Sequence, residues 1–188
     1  MKKVYVIHGW DGSPEEGWFP WLKEELRKLK IETIIPEMPE PDYPKISPWV
    51  NKLKEIITNP DEDTYLVGHS VGCQTILRYL EQLPEGTKVR KVILVAPWTK
   101  LNAETLADED TMEVARPWME SEINWENVNP KAIEFVAVFS KTDPYVSVSQ
   151  SELFQKELDA EIIFLDGPGH LGGEDSLEEL PEVLENLG

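Results

Sequence analysis

Short apolar runs alternate along the chain with stretches whose apolar residues recur at helical spacing. The runs are rich in β-branched and aromatic residues and are typical of buried strands; they cover residues 2–7, 31–35, 64–67, 89–96, 133–139 and 161–165. Helical spacing is found in residues 20–29, 48–57, 71–83, 149–158 and 177–187. Strands alternating with helices predict an α/β fold, with a mostly parallel sheet of about six strands and helices on both faces.

Candidate capping residues predict where two of the helices begin. Ser47 precedes Pro48 and is predicted to cap the second helix, because proline is favoured at the first helical position. Ser149 and Glu152 have the spacing of a capping box and are predicted to open the fourth helix.

The pentapeptide Gly68-His69-Ser70-Val71-Gly72 lies where a predicted strand must turn sharply into a helix. Such a turn strains its central residue and crowds its neighbours, so that small residues are needed two positions to either side. It would lift the Ser70 hydroxyl clear of the sheet and place it at a helix N-terminus, which favours developing negative charge. Ser70 is therefore a candidate nucleophile, and the alternative is a structural turn with an incidental serine.

A serine hydroxyl needs a general base, and the base needs an orienting acid. In a parallel sheet the loops that follow the strands emerge at one edge, where partners of Ser70 should lie. Asp143 follows the fifth predicted strand and His170 follows the sixth. Ser70, Asp143 and His170 thus occur in the order expected for a catalytic triad on such a sheet.

Other residues compete for these roles. His69 is adjacent to Ser70 and is interpreted as a packing residue, while His8 is interpreted as bracing the loop after the first strand. Asp166 is the alternative acid, although it could instead cap the turn before His170. Glu174 and Asp175 resemble the N-terminal charges of the last helix.

Acyl transfer also requires two N–H donors for the oxyanion. The backbone N–H of Val71, directly after the nucleophile, is the expected first donor. The second should come from the loop after the first strand, where the Trp10 N–H is the first choice and the Asp11 N–H the second.

Composition narrows the function classes. The 188 residues suffice for one domain, spanning 1–188, and no stretch reaches the roughly 18 apolar residues of a membrane helix. The net charge of −18 argues against binding to nucleic acid or to an anionic membrane. A single cysteine fits a reducing, cytoplasmic compartment, and the histidines and cysteine lack metal-ligand spacing.

The segment 97–129, between the fourth and fifth predicted strands, is interpreted as a cap or a crossover. Trp98, Trp118 and Trp125 are its candidate substrate-pocket residues. The segment also carries eight acids and two bases. If those acids face the pocket, they should disfavour anionic substrates and favour neutral or amine-bearing ones.

Five sequence features together resemble the small α/β-hydrolases of the retinoblastoma-binding protein 9 family: His8-Gly9, residues 18–22 (WFPWL), the serine pentapeptide, Asp143-Pro144 and Gly169-His170. The resemblance implies an α/β-hydrolase fold, a Ser70-Asp143-His170 triad, and esterase-like or aminopeptidase-like activity. The only cysteine does not lie in an L-x-C-x-E sequence, so the retinoblastoma protein is not carried over as a partner.

The sequence therefore predicts a serine hydrolase that cleaves small esters or amides, including aminoacyl substrates and short peptides, through an acyl-enzyme. No cofactor or metal is expected. The alternative is a non-catalytic binding scaffold that retains the hydrolase fold.

Overall fold

The computed structural model describes residues 2–188, which form a six-stranded parallel sheet. Its strands are β1 (Lys3–Ile7), β2 (Glu32–Ile34), β3 (Thr64–His69), β4 (Val89–Val95), β5 (Ala132–Ser140) and β6 (Glu161–Leu165). Their order across the sheet is β2-β1-β3-β4-β5-β6. The predicted α/β fold class, strand number and parallel direction are confirmed.

Within the described residues there are seven α-helices, of which the first six lie between strands and the last follows β6. They are α1 (Phe19–Lys28), α2 (Ile46–Ile56), α3 (Val71–Glu81), α4 (Glu109–Glu120), α5 (Trp125–Val128), α6 (Ser151–Leu158) and α7 (Pro181–Asn186). Single 3₁₀ turns occupy Thr105–Ala107, Asn129–Lys131, Val148–Gln150 and Gly173–Asp175. None of the helices described within residues 2–188 is both long and apolar enough to cross a membrane.

Two apolar layers cover the two faces of the sheet, because successive strand residues point to opposite sides. In β1, Val4 and Val6 pack with α1 and α7, whereas Tyr5 and Ile7 pack with α2 and α3 on the other face. The helices thus lie on both faces, as predicted.

The two capping predictions were wrong. α2 begins at Ile46, so Ser47 lies inside its first turn, and the capping position belongs to Lys45. α6 begins at Ser151, because a 3₁₀ turn precedes it in which the Ser147 hydroxyl accepts the Ser149 N–H.

The closing helix is also shorter than predicted. Leu180 has φ −137° and ψ 81°, outside the helical range, and the helix begins only at Pro181, because proline is favoured at the first helical position. Leu177 and Leu180 still pack into the apolar layer beside α1, but from irregular chain.

Arg78 of α3 fastens segment 97–129 to the helix that follows Ser70. It is 4% exposed, and its Nη2 donates to the carbonyl oxygens of Trp118 (3.0 Å) and Ser121 (2.7 Å). These carbonyls lie at the C-terminus of α4, where they have no intrahelical partner and where a cation is favoured. The guanidinium therefore satisfies the end of α4.

Replacing Arg78 by methionine should lower the free energy of unfolding by about 2–4 kcal/mol, because the buried Trp118 carbonyl and the part-buried Ser121 carbonyl lose their charged donor. Urea denaturation measures the change. Arg116→Met, an exposed position on α4, is the matched control and should stay within about 0.5 kcal/mol of the parent. Equal stabilities of the two variants would contradict the anchoring role of Arg78.

Candidate active site

Ser70 lies at a strained turn between β3 and α3, with φ 54° and ψ −121°. A Cβ on Gly68 would lie 2.8 Å from the Cys73 nitrogen, and a Cβ on Gly72 would lie 2.7 Å from the His8 carbonyl oxygen. Only glycine fits at those two positions without a shift of backbone. The Ser70 N–H donates to the Val95 carbonyl oxygen (2.9 Å), which ties the turn to the end of β4.

Ser70, His170 and Asp143 form a continuous hydrogen-bonded chain. The Ser70 hydroxyl lies 2.8 Å from His170 Nε2, and His170 Nδ1 lies 2.8 Å from Asp143 Oδ2. The side chains of His170 and Asp143 are 8% and 2% exposed. The structure thus brings together three residues that are separated by up to 100 positions in the sequence.

The second carboxylate oxygen of Asp143 is also held. Its Oδ1 accepts the backbone N–H groups of Tyr145 (2.8 Å) and Val146 (2.9 Å), which lie in the turn after β5. The carboxylate is therefore oriented by the backbone, and Oδ2 remains free to accept the Nδ1 proton of His170. In that tautomer Nε2 is unprotonated and can accept the Ser70 proton.

The alternative acids lie elsewhere. The Asp166 side chain is 89% exposed and pairs with Lys141 (2.7 Å). Glu174 accepts the Tyr145 hydroxyl (3.2 Å), and Asp175 accepts the Gly172 N–H (3.3 Å). The interpretation of Glu174 and Asp175 as charges at the last helix was wrong, because that helix begins only at position 181.

His8 braces the loop after β1, as interpreted. The Met38 N–H donates to its Nε2 (3.3 Å), so its proton lies on Nδ1, which donates to the Gly9 carbonyl oxygen (2.8 Å). Burial lowers the pKa of His8, which keeps the imidazole neutral.

His69 holds the loop that carries His170. Its Nε2 donates to the His170 carbonyl oxygen (2.9 Å), and its ring lies between Gly9 and Gly172. A Cβ on either glycine would lie within 2.9 Å of the imidazole, so both loops close tightly on it. Burial, followed by the nearby His170, lowers the pKa of His69 to about 3.

The loop after β1 also reaches Ser70. A Cβ on Gly9 would lie 3.2 Å from the Ser70 Cβ. The Asp11 N–H is engaged by the Pro41 carbonyl oxygen (2.7 Å), whereas the Trp10 N–H makes no backbone hydrogen bond within residues 2–188. Val71 is the first residue of α3, so its N–H has no intrahelical acceptor. Trp10 and Val71 thus stay the predicted oxyanion donors.

A cavity of about 610 Å³ opens above Ser70. Of the three predicted pocket tryptophans, only Trp98 lines it. Trp118 instead donates its N–H to the Pro44 carbonyl oxygen (2.9 Å), and Trp125 packs edge-on against Phe154. The pocket prediction was wrong for Trp118 and Trp125, because Trp118 is buried in the apolar layer on the α3 side of the sheet and Trp125 packs against that layer.

Segment 97–129 is both a crossover from β4 to β5 and a wall of the cavity, which it lines with Trp98, Leu101, Thr105 and Thr111. Its acids do not line the cavity. The carboxylates that do are Asp11, Glu16 and Glu174, from the loops after β1 and β6, and the lining includes no lysine or arginine.

Tyr145 is a site residue that the sequence analysis missed. Its ring lies edge-on to His170 at 5.1 Å, and it lines the cavity. Burial, followed by Glu174, raises the pKa of Tyr145, which keeps its hydroxyl protonated as the donor to Glu174. Its position two residues after Asp143 was the available signal.

Known proteins resemble this chain over nearly its whole length. The chain matches the family model described as serine hydrolase over residues 4–188. It is 30% identical over 186 residues to YdeN of Bacillus subtilis (strain 168), covering 99% of this chain and 94% of YdeN. It is 25% identical over 191 residues to serine hydrolase RBBP9 of Rattus norvegicus, covering 98% and 95% of the two chains.

Solved structures share the fold. The crystal structure of the B. subtilis YdeN gene product superposes with a TM-score of 0.89 at 30% identity, covering 100% of this chain and 97% of that one. Est1E from Butyrivibrio proteoclasticus, with ferulic acid bound, has a TM-score of 0.73 at 14% identity and covers 100% and 90%. At that identity the likeness shows the α/β-hydrolase fold alone.

The buried His69 should make stability depend on pH. In the unfolded chain His69 has its ordinary pKa of about 6.5, whereas in the folded chain its pKa is about 3. The contribution of His69 to the free energy of unfolding is therefore fully present above pH 6.5, and it falls by about 1.4 kcal/mol for each pH unit below that. Between pH 7 and pH 5 the wild type should therefore lose about 2 kcal/mol more than His69→Gln in urea denaturation. Identical losses would contradict this assignment.

Proposed function

This chain belongs to the serine hydrolase family, and from that premise we propose that it cleaves small esters or amides with Ser70, His170 and Asp143 as its catalytic triad. The observation that carries the proposal is the hydrogen-bonded chain from the Ser70 hydroxyl through His170 to Asp143, with 2.8 Å at each step. Its nucleophilic end faces a cavity and its acidic end is buried.

In the proposed reaction, Ser70 Oγ bonds to the substrate carbonyl carbon while its proton passes to His170 Nε2. His170 then returns that proton to the departing alcohol or amine as the carbon–leaving-group bond breaks. Water repeats the sequence and releases the acid from the acyl-enzyme. Asp143 keeps the imidazole in the required tautomer and stabilises its charged form.

The backbone N–H groups of Trp10 and Val71 are the proposed oxyanion donors. Val71 follows Ser70 in the chain, Trp10 lines the same cavity as Ser70, and the competing Asp11 N–H is already bonded. Donors of this kind stabilise charge only where it develops, which is why they raise turnover rather than substrate affinity.

The carboxylates at the cavity support a preference for neutral or amine-bearing substrates, aminoacyl compounds and short peptides among them. Asp11, Glu16 and Glu174 impose a negative potential on the entering substrate, and the lining offers no positive side chain in return. The cavity lining also includes apolar side chains, among them Phe19, Trp98 and Leu101.

The remaining proposals concern partners and location. A net charge of −18 supports a small-molecule substrate over a nucleic acid or membrane. The single cysteine, Cys73, forms no disulfide within the chain, which supports a reducing, cytoplasmic compartment.

Changes at the triad should abolish turnover of an activated ester. Ser70→Ala should reduce kcat by at least about 10⁴-fold, and Asp143→Asn by about 10³- to 10⁴-fold, because the imidazole loses its partner or its tautomer. Asp166→Asn is the matched control on the neighbouring loop and should retain full activity. A folded Ser70→Ala protein with full turnover would contradict the proposal, and a wild type without turnover on any acyl substrate would favour the binding scaffold.

Substrate charge should alter kcat/KM in matched esters. We expect the cationic ester to be preferred over the anionic one by about three- to ten-fold at low salt, with the difference shrinking as salt rises. Glu174→Gln should narrow the preference, whereas Glu122→Gln, an exposed position in segment 97–129, should not. A preference for the anionic ester would contradict the proposed charge selectivity.

A further inference from the structure

The indole of Trp98 contacts the proposed nucleophile directly. Its Nε1–H donates to Ser70 Oγ at 3.2 Å, and the residue is 2% exposed. An indole N–H can only donate, and a buried one normally needs a partner. Ser70 Oγ is that partner, and the triad chemistry described above makes no use of the contact.

The end of β4 places Trp98 at this point. The carbonyl oxygen of Val95, the last residue of β4, accepts the Ser70 N–H (2.9 Å). Ala96 then adopts a left-handed conformation, with φ 48°, and its N–H donates to the Val138 carbonyl oxygen (2.8 Å). Such a conformation is strained for a residue with a Cβ and persists only where its surroundings impose it. Residues 95–98 therefore bind Ser70 twice, through the Val95 carbonyl oxygen and through the Trp98 indole.

The hydrogen bonds of Ser70 Oγ can be counted. A hydroxyl has one proton to donate and two lone pairs to accept with. The proton is directed to His170 Nε2, and the Trp98 N–H occupies one lone pair. One lone pair remains, and it is the one available for attack on a carbonyl carbon.

We propose that Trp98 is a positioning residue, which holds the Ser70 hydroxyl in the rotamer that directs its proton to His170 and leaves one lone pair facing the cavity. This inference rests on the proposed function of Ser70 as nucleophile. The indole is suited to the task because it is fixed in the apolar layer beside α3 and cannot follow the hydroxyl into another rotamer. Without the N–H, Ser70 Oγ would sample orientations that do not react.

Trp98→Phe tests the proposal, because it keeps an aromatic ring and removes the N–H. With an activated ester we expect kcat to fall about 10- to 100-fold while KM changes less than about two-fold, since orientation of the nucleophile does not contribute to binding. The second-order rate of inactivation by a fluorophosphonate should fall by the same factor. The matched control is Trp49→Phe, whose buried indole donates to the Pro39 carbonyl oxygen (2.7 Å) away from the cavity.

The possible results distinguish failure of the proposed hydrolase function from failure of the positioning role of Trp98. A wild type that reacts with neither reagent would overturn the proposed function, and the role of Trp98 with it. A reactive wild type matched in both rates by Trp98→Phe would overturn the role of Trp98 alone, as would an equal loss in Trp49→Phe.

A spectroscopic test does not depend on the folding of Trp98→Phe. In ¹⁵N-labelled protein with indole signals assigned by triple-resonance methods, the Trp98 Nε1–H resonance should shift in Ser70→Ala and in the phosphonylated wild type. The Trp49 resonance should not move. A Trp98 resonance that is unchanged by both modifications of Ser70 would overturn the proposal.

Discussion

The left-handed backbone conformation of Ser70, with a glycine two positions to either side, is the constraint on which the rest of the site depends. The conformation costs on the order of 1–3 kcal/mol and persists because three strands enforce it. Gly72 lies against the backbone at the end of β1, the turn follows β3, and the Ser70 N–H is bonded to Val95 at the end of β4. Contacts at the ends of three neighbouring strands in the centre of the sheet thus hold Ser70 in its strained conformation.

From that turn outward, the site is assembled by backbone groups more than by side chains. Two N–H groups orient the Asp143 carboxylate, and the His170 carbonyl oxygen is held by His69. The His69 imidazole works only as a neutral group, because it is enclosed by the loops after β1 and β6. These buried contacts fix the loops after β1, β5 and β6 relative to one another, and so hold the hydrogen-bonded chain of Ser70, His170 and Asp143 on segments that largely lack regular secondary structure.

Much of this was predictable from the sequence. Strand runs and the glycine spacing around Ser70 predict the sheet and its edge, because they depend on local sterics and burial. The predictions failed where distant packing decides: Trp118 and Trp125 have the composition of pocket residues, yet Trp118 is buried in the core and Trp125 packs against it. Likewise, Ser149 has the spacing of a helix cap, but a 3₁₀ turn displaced the helix start. The bond from Trp98 to Ser70 depends on a strained turn that residue types do not reveal.

The proposed chemistry requires that the Ser70 hydroxyl is activated through His170. It is tested most directly by treating the folded protein with a fluorophosphonate and mapping the adduct by peptide mass spectrometry. We expect one phosphonyl group per chain on the peptide that carries Ser70, and none in His170→Ala. An adduct on another residue, or full labelling of Ser70 in His170→Ala, would contradict it.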